Sequence, residues 1–120
     1  MSDPFVFIVH VTDAPASARF YGDLLGISPA FASPRFIAFD LADRVQLAVW
    51  SGAAEVARST PRTSEVCVAL PGGPGVIDER YRAWVAKGVE VVQEPRDESF
   101  GRTFVVADPD GNLIRVAPVD

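Results

Sequence analysis

Few residues in this 120-residue chain have side chains that could do chemistry by themselves. The chain contains one histidine, His10, and one cysteine, Cys67. A nucleophilic cysteine needs a nearby base, and the sequence places none beside Cys67, so we predict a small core residue there. His10 and Glu65 are possible metal donors, but a divalent ion needs several such ligands. Asp40 or Glu94 would have to complete that site.

Stacking on a planar ligand is a second kind of chemistry that the sequence offers. Trp50 ends a β-rich run, and Phe100, Gly101 and Arg102 follow one another later in the chain. Phe100 has a flat apolar face, while the planar guanidinium of Arg102 can pair with a carboxylate. The alternative is simple packing, with Trp50 at the rim of a strand and Phe100 at the start of a bulged one.

These candidates lie on a pattern that occurs twice. A β-run at 5–12 precedes an apolar helical stripe that Asp13 can cap and Gly26 can end, and three strands follow near 28–32, 35–41 and 44–50. In the second half a strand at 65–70 precedes a helix that stops at Gly88. Its apolar stripe consists of Ile77, Tyr81, Trp84 and Val85, and three strands follow near 89–94, 102–107 and 112–117.

The pattern predicts an α+β protein with two βαβββ repeats. We expect one domain over residues 1–120, with repeat one at 5–50, a connector at 51–63 and repeat two at 64–118. Each repeat would curl its sheet, place its helix on the outer face and leave a cup. Both faces of the first strand are largely apolar, so we expect both to be covered. A ferredoxin-like α+β sandwich is the alternative.

The run Val105–Val116 contains Asp108-Pro109-Asp110-Gly111-Asn112 between two β-rich segments. Proline pre-sets one turn dihedral and glycine supplies a positive φ, so this segment is predicted to be a tight hairpin turn. A strand–DPDGN–strand unit resembles the vicinal oxygen chelate superfamily, which includes glyoxalase I, extradiol dioxygenases and bleomycin-resistance proteins. The resemblance implies a duplicated βαβββ fold, in agreement with the pattern of the whole chain.

The resemblance also implies where metal-dependent members hold their ion. Those positions correspond most nearly to Val6, Gln46, Glu65 and Arg115. Val6 has no donor atom, Gln46 is a poor ligand and the guanidinium of Arg115 repels a cation, so only Glu65 is an ordinary ligand. We therefore expect no metal and no other cofactor, and an ion pair between Glu65 and Arg115.

Several segments resemble one branch of the superfamily, the phenazine antibiotic resistance proteins. The similar segments are 33–39, 47–52, 64–66 and 100–118. That branch implies a metal-free dimeric binding protein that holds a flat tricyclic antibiotic between aromatic side chains. Trp50 is the first residue carried over, followed by Phe100 and Arg102, and Arg102 or Arg115 could meet a ligand carboxylate. Gln46, Glu65 and His10 complete the predicted ligand-binding set.

Charge and composition exclude several partners. The net charge is −5 and no Lys/Arg cluster is present, which argues against nucleic acid and anionic membranes. No apolar run approaches the roughly 20 residues that span a bilayer. The N-terminus lacks the features of a signal peptide, and one cysteine permits no intrachain disulfide, so a cytoplasmic location is expected. An open apolar sheet edge would favour a homodimer.

Three functions follow from these observations. The first is sequestration of a planar aromatic antibiotic or pigment by a binding protein. The second is a metal-dependent lyase, isomerase or dioxygenase, which the ligand positions disfavour. The third is an interaction module in which Trp50 and Phe100 only pack.

Overall fold

Each half of the chain folds as a strand, a helix and three further strands. The computed structural model describes residues 3–58 and 61–119, and it divides the chain into two units, residues 1–60 and 61–120. The α+β class and the two βαβββ repeats are thereby confirmed. A cup shared by both repeats stays a prediction.

The N-terminal unit contains a four-stranded sheet, one long helix and one short helix. Its elements are β1 (Phe5–His10), α1 (Ala14–Leu25), β2 (Pro29–Ala32), β3 (Phe36–Ala42), β4 (Val45–Trp50) and α2 (Ala54–Ala57). The strand order is β1-β4-β3-β2, in which β1 and β4 are parallel and the other pairs are antiparallel. The predicted connector thus includes the short helix α2, while Ser59 and Thr60 lie outside the described residues.

Helix α1 begins and ends where the sequence predicts. The Asp13 carboxylate accepts a hydrogen bond from the Ala16 amide at 3.0 Å, and the Gly26 amide donates to the Gly22 carbonyl. Tyr21 and Leu24 are buried on the inner side of the helix, which packs on β3 and β4.

Strand β1 lies at the edge of this sheet, beside β4 alone. Its residues Phe5, Val6, Phe7 and Ile8 are each between 45% and 58% exposed. The expectation that both faces of β1 are covered is therefore wrong for a single chain, because α1 lies over the two central strands instead.

The C-terminal unit repeats this plan. Its elements are β5 (Glu65–Leu70), α3 (Pro74–Ala86), β6 (Glu90–Glu98), β7 (Gly101–Ala107) and β8 (Leu113–Pro118), with strand order β5-β8-β7-β6. Trp84 and Tyr81 of α3 meet Phe104 edge-on, at 5.7 and 5.3 Å between ring centroids. Val85 is exposed rather than part of the buried stripe.

Strand β6 is longer than the sequence predicts. It runs to Glu98 along the sheet edge, and its register with β7 shifts between Gln93 and Arg96. Pro95 lies within that shift, because proline has no amide proton for a regular ladder and is tolerated at edges and bulges.

The turn between β7 and β8 is organised by Asp108, which is 2% exposed. One carboxylate oxygen accepts from the amides of Asp110 and Asn112 at 2.8 Å each, and the other accepts from the Asn112 side chain at 2.9 Å. Gly111 adopts a φ of +86°. The predicted tight hairpin turn is confirmed.

No helix in the described ranges is long and apolar enough to cross a bilayer.

Candidate functional site

Because side chains alternate along a strand, the residues of the N-terminal sheet are divided between its two faces. Phe39 lies on the face that α1 covers, since a Cβ added to Gly22 of the helix would be 3.8 Å from its ring. We call the opposite side, which α1 does not cover, the open face of the N-terminal sheet, although Ala38 and Ala48 on it are buried. Pairing in register places nine residues of β1, β3 and β4 on it: Val6, Ile8, His10, Phe36, Ala38, Asp40, Gln46, Ala48 and Trp50.

Four rings lie across the open face, one from each strand. His10 and Phe36 are the cross-strand partners of Trp50, on β1 and β3. The His10 and Trp50 rings are 5.7 Å apart and tilted by 47°. Phe31 of β2 contacts Phe36, with centroids 6.3 Å apart and a tilt of 58°.

Phe31 and Phe36 are not among the ligand-binding residues predicted from the sequence. The signal was available, because Phe36, Ala38 and Asp40 alternate on β3 in the same way as Gln46, Ala48 and Trp50 on β4. An antiparallel hairpin of these strands pairs Phe36 with Trp50. Sequence alone did not fix that register.

The indole of Trp50 lies against the backbone at Gly52. A Cβ at Gly52 would be 2.4 to 2.6 Å from Nε1, Cε2 and Cζ2 of the indole, closer than any side chain tolerates. His10 contacts the same ring. The indole of Trp50 is thus contacted from two sides, by His10 and by Gly52, where any larger residue would require the indole to move.

A polar pair lies further along the same face. Gln46 donates a hydrogen bond from Nε2 to the Asp40 carboxylate at 2.9 Å, and Val6 is the cross-strand partner of Gln46. Both predicted ligand positions of this unit, Val6 and Gln46, are therefore neighbours, but only one of them has a polar side chain.

The C-terminal sheet has a corresponding open face, opposite α3. Arg115 lies there, where Nε donates to Glu65 and Nη1 donates to the Thr103 hydroxyl at 3.1 Å. Thr103 in turn donates to the Val116 carbonyl at 2.7 Å, so its oxygen is oriented to accept from the guanidinium. The predicted ion pair between Glu65 and Arg115 is present.

Phe100 lies at the tip of the hairpin between β6 and β7 and is 53% exposed. The Arg115 guanidinium lies 5.9 Å from the centroid of its ring, within cation–π range. Gly101 allows this tip to form, because its φ is +126° and a Cβ there would be 2.7 Å from the Pro118 side chain. The structure brings Phe100, Arg115 and Glu65 together.

Arg102 is not part of that group. It alternates with Thr103 along β7, and its Nε donates to Asp78 of α3 at 2.8 Å. Its Nη1 donates to Asp97 at 3.3 Å. Hydrogen bonds to Asp78 and Asp97 raise the pKa of Arg102 above its usual value. The structure thus places this guanidinium on the helix side of the sheet, where two carboxylates already engage it.

Cys67 is exposed, so the prediction of a core residue is wrong. It lies on edge strand β5, directly opposite Arg115 on β8. Local desolvation and the Glu65 carboxylate raise the pKa of the thiol, and Arg115 partly offsets them. A thiol with a raised pKa is a poor nucleophile at neutral pH.

The side chains at the positions that the resemblance assigns to a metal do not suit one. Val6 supplies no donor, and the Glu65 carboxylate accepts from Arg115, whose fixed positive charge would oppose an ion. Across 3–58 and 61–119, no three His, Cys, Asp or Glu side chains are grouped closely enough to form an alternative site. Among these described residues, His10 and Asp40 therefore do not belong to a group of side chains that could bind a metal.

Comparison with known proteins gives consistent matches along the chain. The sequence model of the Glyoxalase/Bleomycin resistance protein/Dioxygenase superfamily matches residues 5–116. The phenazine antibiotic resistance protein EhpR of Enterobacter agglomerans is 37% identical over 120 residues, covering 98% of this chain and 92% of EhpR.

Solved structures agree with the sequence matches. The solution structure of protein ATC0852 from Agrobacterium tumefaciens has a TM-score of 0.79 and 34% identity, covering 100% of this chain and 99% of that one. The bleomycin-binding protein of Streptomyces verticillus, solved with copper(II)-bleomycin, has a TM-score of 0.71 and 20% identity, covering 100% of this chain and 98% of that one. The second likeness is one of fold.

Proposed function

Because the chain belongs to the Glyoxalase/Bleomycin resistance protein/Dioxygenase superfamily, and because Val6 and Arg115 could not ligate a metal while aromatic rings lie on the open face of the N-terminal sheet, we propose that it is a binding protein. Its ligand is a planar aromatic small molecule such as a phenazine antibiotic. Binding withholds the molecule from its target and confers resistance without a metal and without bond making.

The arrangement around Trp50 is the observation that carries this proposal. Its indole is held by His10 and by the close approach of Gly52, so little ordering is left to occur when a ligand stacks on it. Each stacked pair contributes about 0.5–1.5 kcal/mol beyond the apolar area that it buries. The identity to EhpR, a phenazine antibiotic resistance protein, supports a ligand of this shape.

The expected affinity is adequate for sequestration. A tricyclic ligand with about 20 heavy atoms, at about 0.3–0.4 kcal/mol for each atom, gives a dissociation constant on the order of micromolar. An abundant protein with this affinity lowers the free concentration of a toxin substantially.

The open face of the C-terminal sheet offers a polar anchor for the same class of ligand. In the part of the chain that the structure describes, Nη2 of Arg115 has no hydrogen-bond acceptor, while Nε and Nη1 are held by Glu65 and Thr103. A ring substituent with an oxygen or nitrogen acceptor, such as a carboxylate, would accept a hydrogen bond from Nη2 of Arg115. Phe100 would flank that substituent through its exposed ring.

We further propose that the protein is a homodimer and acts in the cytoplasm. Four consecutive apolar residues of edge strand β1 are exposed, and a second copy would cover them. Phe7→Glu should then yield a monomer in sedimentation analysis, while Val85→Glu, at another exposed apolar position, should not. A wild-type monomer at micromolar concentration would refute the dimer.

The binding proposal is tested by titrating the protein with phenazine. The chain has two tryptophans, so Trp84→Phe, at the buried helix position, isolates the emission of Trp50. Phenazine has fewer heavy atoms than the ligand considered above, so it should quench this emission with a dissociation constant of about 0.1–1 mM, and calorimetry should give the same constant. Trp50→Ala should weaken the calorimetric affinity by about 1–3 kcal/mol, as expected for loss of an aromatic anchor. Unchanged affinity would remove Trp50 from the site.

A further inference from the structure

The polar pair on the open face of the N-terminal sheet is arranged so that it offers acceptors. Asp40 and Gln46 are cross-strand partners on β3 and β4, and Gln46 Nε2 donates to Asp40 Oδ1 at 2.9 Å. An ionised carboxylate has no proton to donate, so the amide has to turn its nitrogen toward Asp40 and leave its oxygen for another group. Oδ2 of Asp40 and Oε1 of Gln46 are then both acceptors.

Neither of these two oxygens is used elsewhere. Within residues 3–58 and 61–119, Asp40 and Gln46 take part in no other hydrogen bond and in no ion pair. Opposite charges commonly face each other across neighbouring strands, but the partner of Asp40 is a neutral amide. The negative charge of Asp40, which is exposed, is therefore available to a group that approaches this face.

Apolar side chains border the pair on the same face. Val6, the partner of Gln46 on β1, is 45% exposed. Ile8 is 47% exposed and lies one step further along β1, about 7 Å away, because residues two apart on a strand share a face. A carboxylate at the border of accessible apolar surface suits a molecule that is apolar at one end and positively charged at the other.

We infer that Asp40 and Gln46 form a subsite for an amino group, or another cationic hydrogen-bond donor, on the aromatic ligand. The inference deepens the proposed function and rests on it. The ring system of the ligand covers the apolar side chains of the face, and its amino group donates to the Asp40 carboxylate and to Oε1 of Gln46. Asp40 supplies the charge that makes this hydrogen bond stronger than one between neutral groups.

An ammonium group suits this pair better than a metal ion does. One carboxylate and one amide provide too few ligands for a divalent cation, whereas an amino group needs only acceptors in the direction of its hydrogens. The requirement is also opposite to that of Arg115 in the C-terminal unit, whose Nη2 is a donor. A preference for a cationic substituent is therefore specific to Asp40 and Gln46.

Acridine and the aminoacridine that carries its amino group on the central ring form the test pair. Both have three flat fused rings, and the aminoacridine is a cation at neutral pH. Affinities are measured by calorimetry on wild type, on Asp40→Asn and on Asp43→Asn, which removes the same charge from the exposed turn between β3 and β4. The salt concentration is about 0.15 M, at which charges more than about 8 Å apart are largely screened.

Wild type and Asp43→Asn should bind the aminoacridine about tenfold more tightly than acridine. Asp40→Asn should reduce this ratio to about threefold or less and leave the affinity for acridine unchanged, because asparagine keeps the shape of the side chain and loses its charge. Gln46→Leu, which keeps the carboxylate and removes the amide acceptor, should give an intermediate ratio. A wild-type ratio in Gln46→Leu would contradict the part assigned to Gln46.

The ratio separates recognition from a structural role. If Asp40→Asn weakens the binding of both compounds by the same factor, Asp40 only supports the fold and the subsite is refuted. An unchanged ratio refutes it equally, and so does an equal loss in Asp43→Asn, which would show that overall charge attracts the cation. Binding of phenazine together with a wild-type ratio near one refutes the subsite alone. If neither phenazine nor acridine binds wild type, the proposed function itself fails.

Discussion

Gly52→Ala is expected to weaken ligand binding although Gly52 need not touch the ligand. The backbone of Gly52 does not have a positive φ, so alanine is tolerated there by the main chain. Its new methyl group would lie 2.4 Å from Nε1 and 2.5 Å from Cε2 of Trp50. Ordinary contacts of this kind are about 3.5–4.0 Å, so the indole has to move by roughly 1 Å or more.

The cost follows from the contact that is lost. A displaced indole forfeits up to one stacked pair, about 0.5–1.5 kcal/mol, which raises the phenazine dissociation constant by about twofold to tenfold. Calorimetry measures this change, and the emission spectrum of Trp50 in the Trp84→Phe protein reports the altered surroundings of the indole.

Gly75→Ala is the matched control, because a Cβ there would meet no atom within 4 Å and the residue has no positive φ. It should leave both the emission and the affinity unchanged. If Gly52→Ala shifts the emission of Trp50 while the affinity for phenazine stays at the wild-type value, Trp50 is not the stacking surface.

Three other predictions concern the C-terminal unit. Asp108→Ala removes the acceptor of three hydrogen bonds in the β7–β8 turn and should lower the free energy of unfolding in urea by about 2–3 kcal/mol. A loss below about 0.5 kcal/mol, the size of a neutral surface substitution, would show that Asp108 does not stabilise the turn. Glu65 raises the pKa of Cys67 and Arg115 lowers it, so Glu65→Gln should speed alkylation of the thiol at pH 8 and Arg115→Gln should slow it. If Glu65→Gln slows alkylation and Arg115→Gln speeds it, the exposure of Cys67 and not its pKa controls the rate. Arg102→Gln should leave the affinity for phenazine unchanged, because the Arg102 guanidinium is bound on the helix side of the sheet. A weaker affinity would show that Arg102 does contribute to the ligand site.

The duplicated fold could be predicted from the sequence because local signals were repeated in both halves. Asp13 and Gly26 mark the limits of α1, and Gly111 sits in a turn that only a few residue types can form. Coverage of β1 could not be predicted, since periodicity shows that Phe5 and Phe7 share a face but not whether a helix reaches that edge strand.

The candidate site was predicted only where one residue carried enough information by itself. The pairing of Glu65 with Arg115 could be predicted from residue type and resemblance, while the ligand-binding role of Trp50 stays a prediction. Phe36 depends on the register of two strands, and the orientation of Arg102 depends on which face of β7 it occupies. A shift of one residue moves every side chain of a strand to the other face, so composition alone does not settle either position.

Binding of phenazine by metal-depleted protein tests the central claim most directly. The Trp84→Phe protein is dialysed against a chelator, its metal content is measured, and phenazine is titrated while Trp50 emission is followed. We predict quenching with a dissociation constant of about 0.1–1 mM, unchanged when zinc, nickel or iron(II) is added. Binding that disappears on metal removal and returns with the ion would contradict the account.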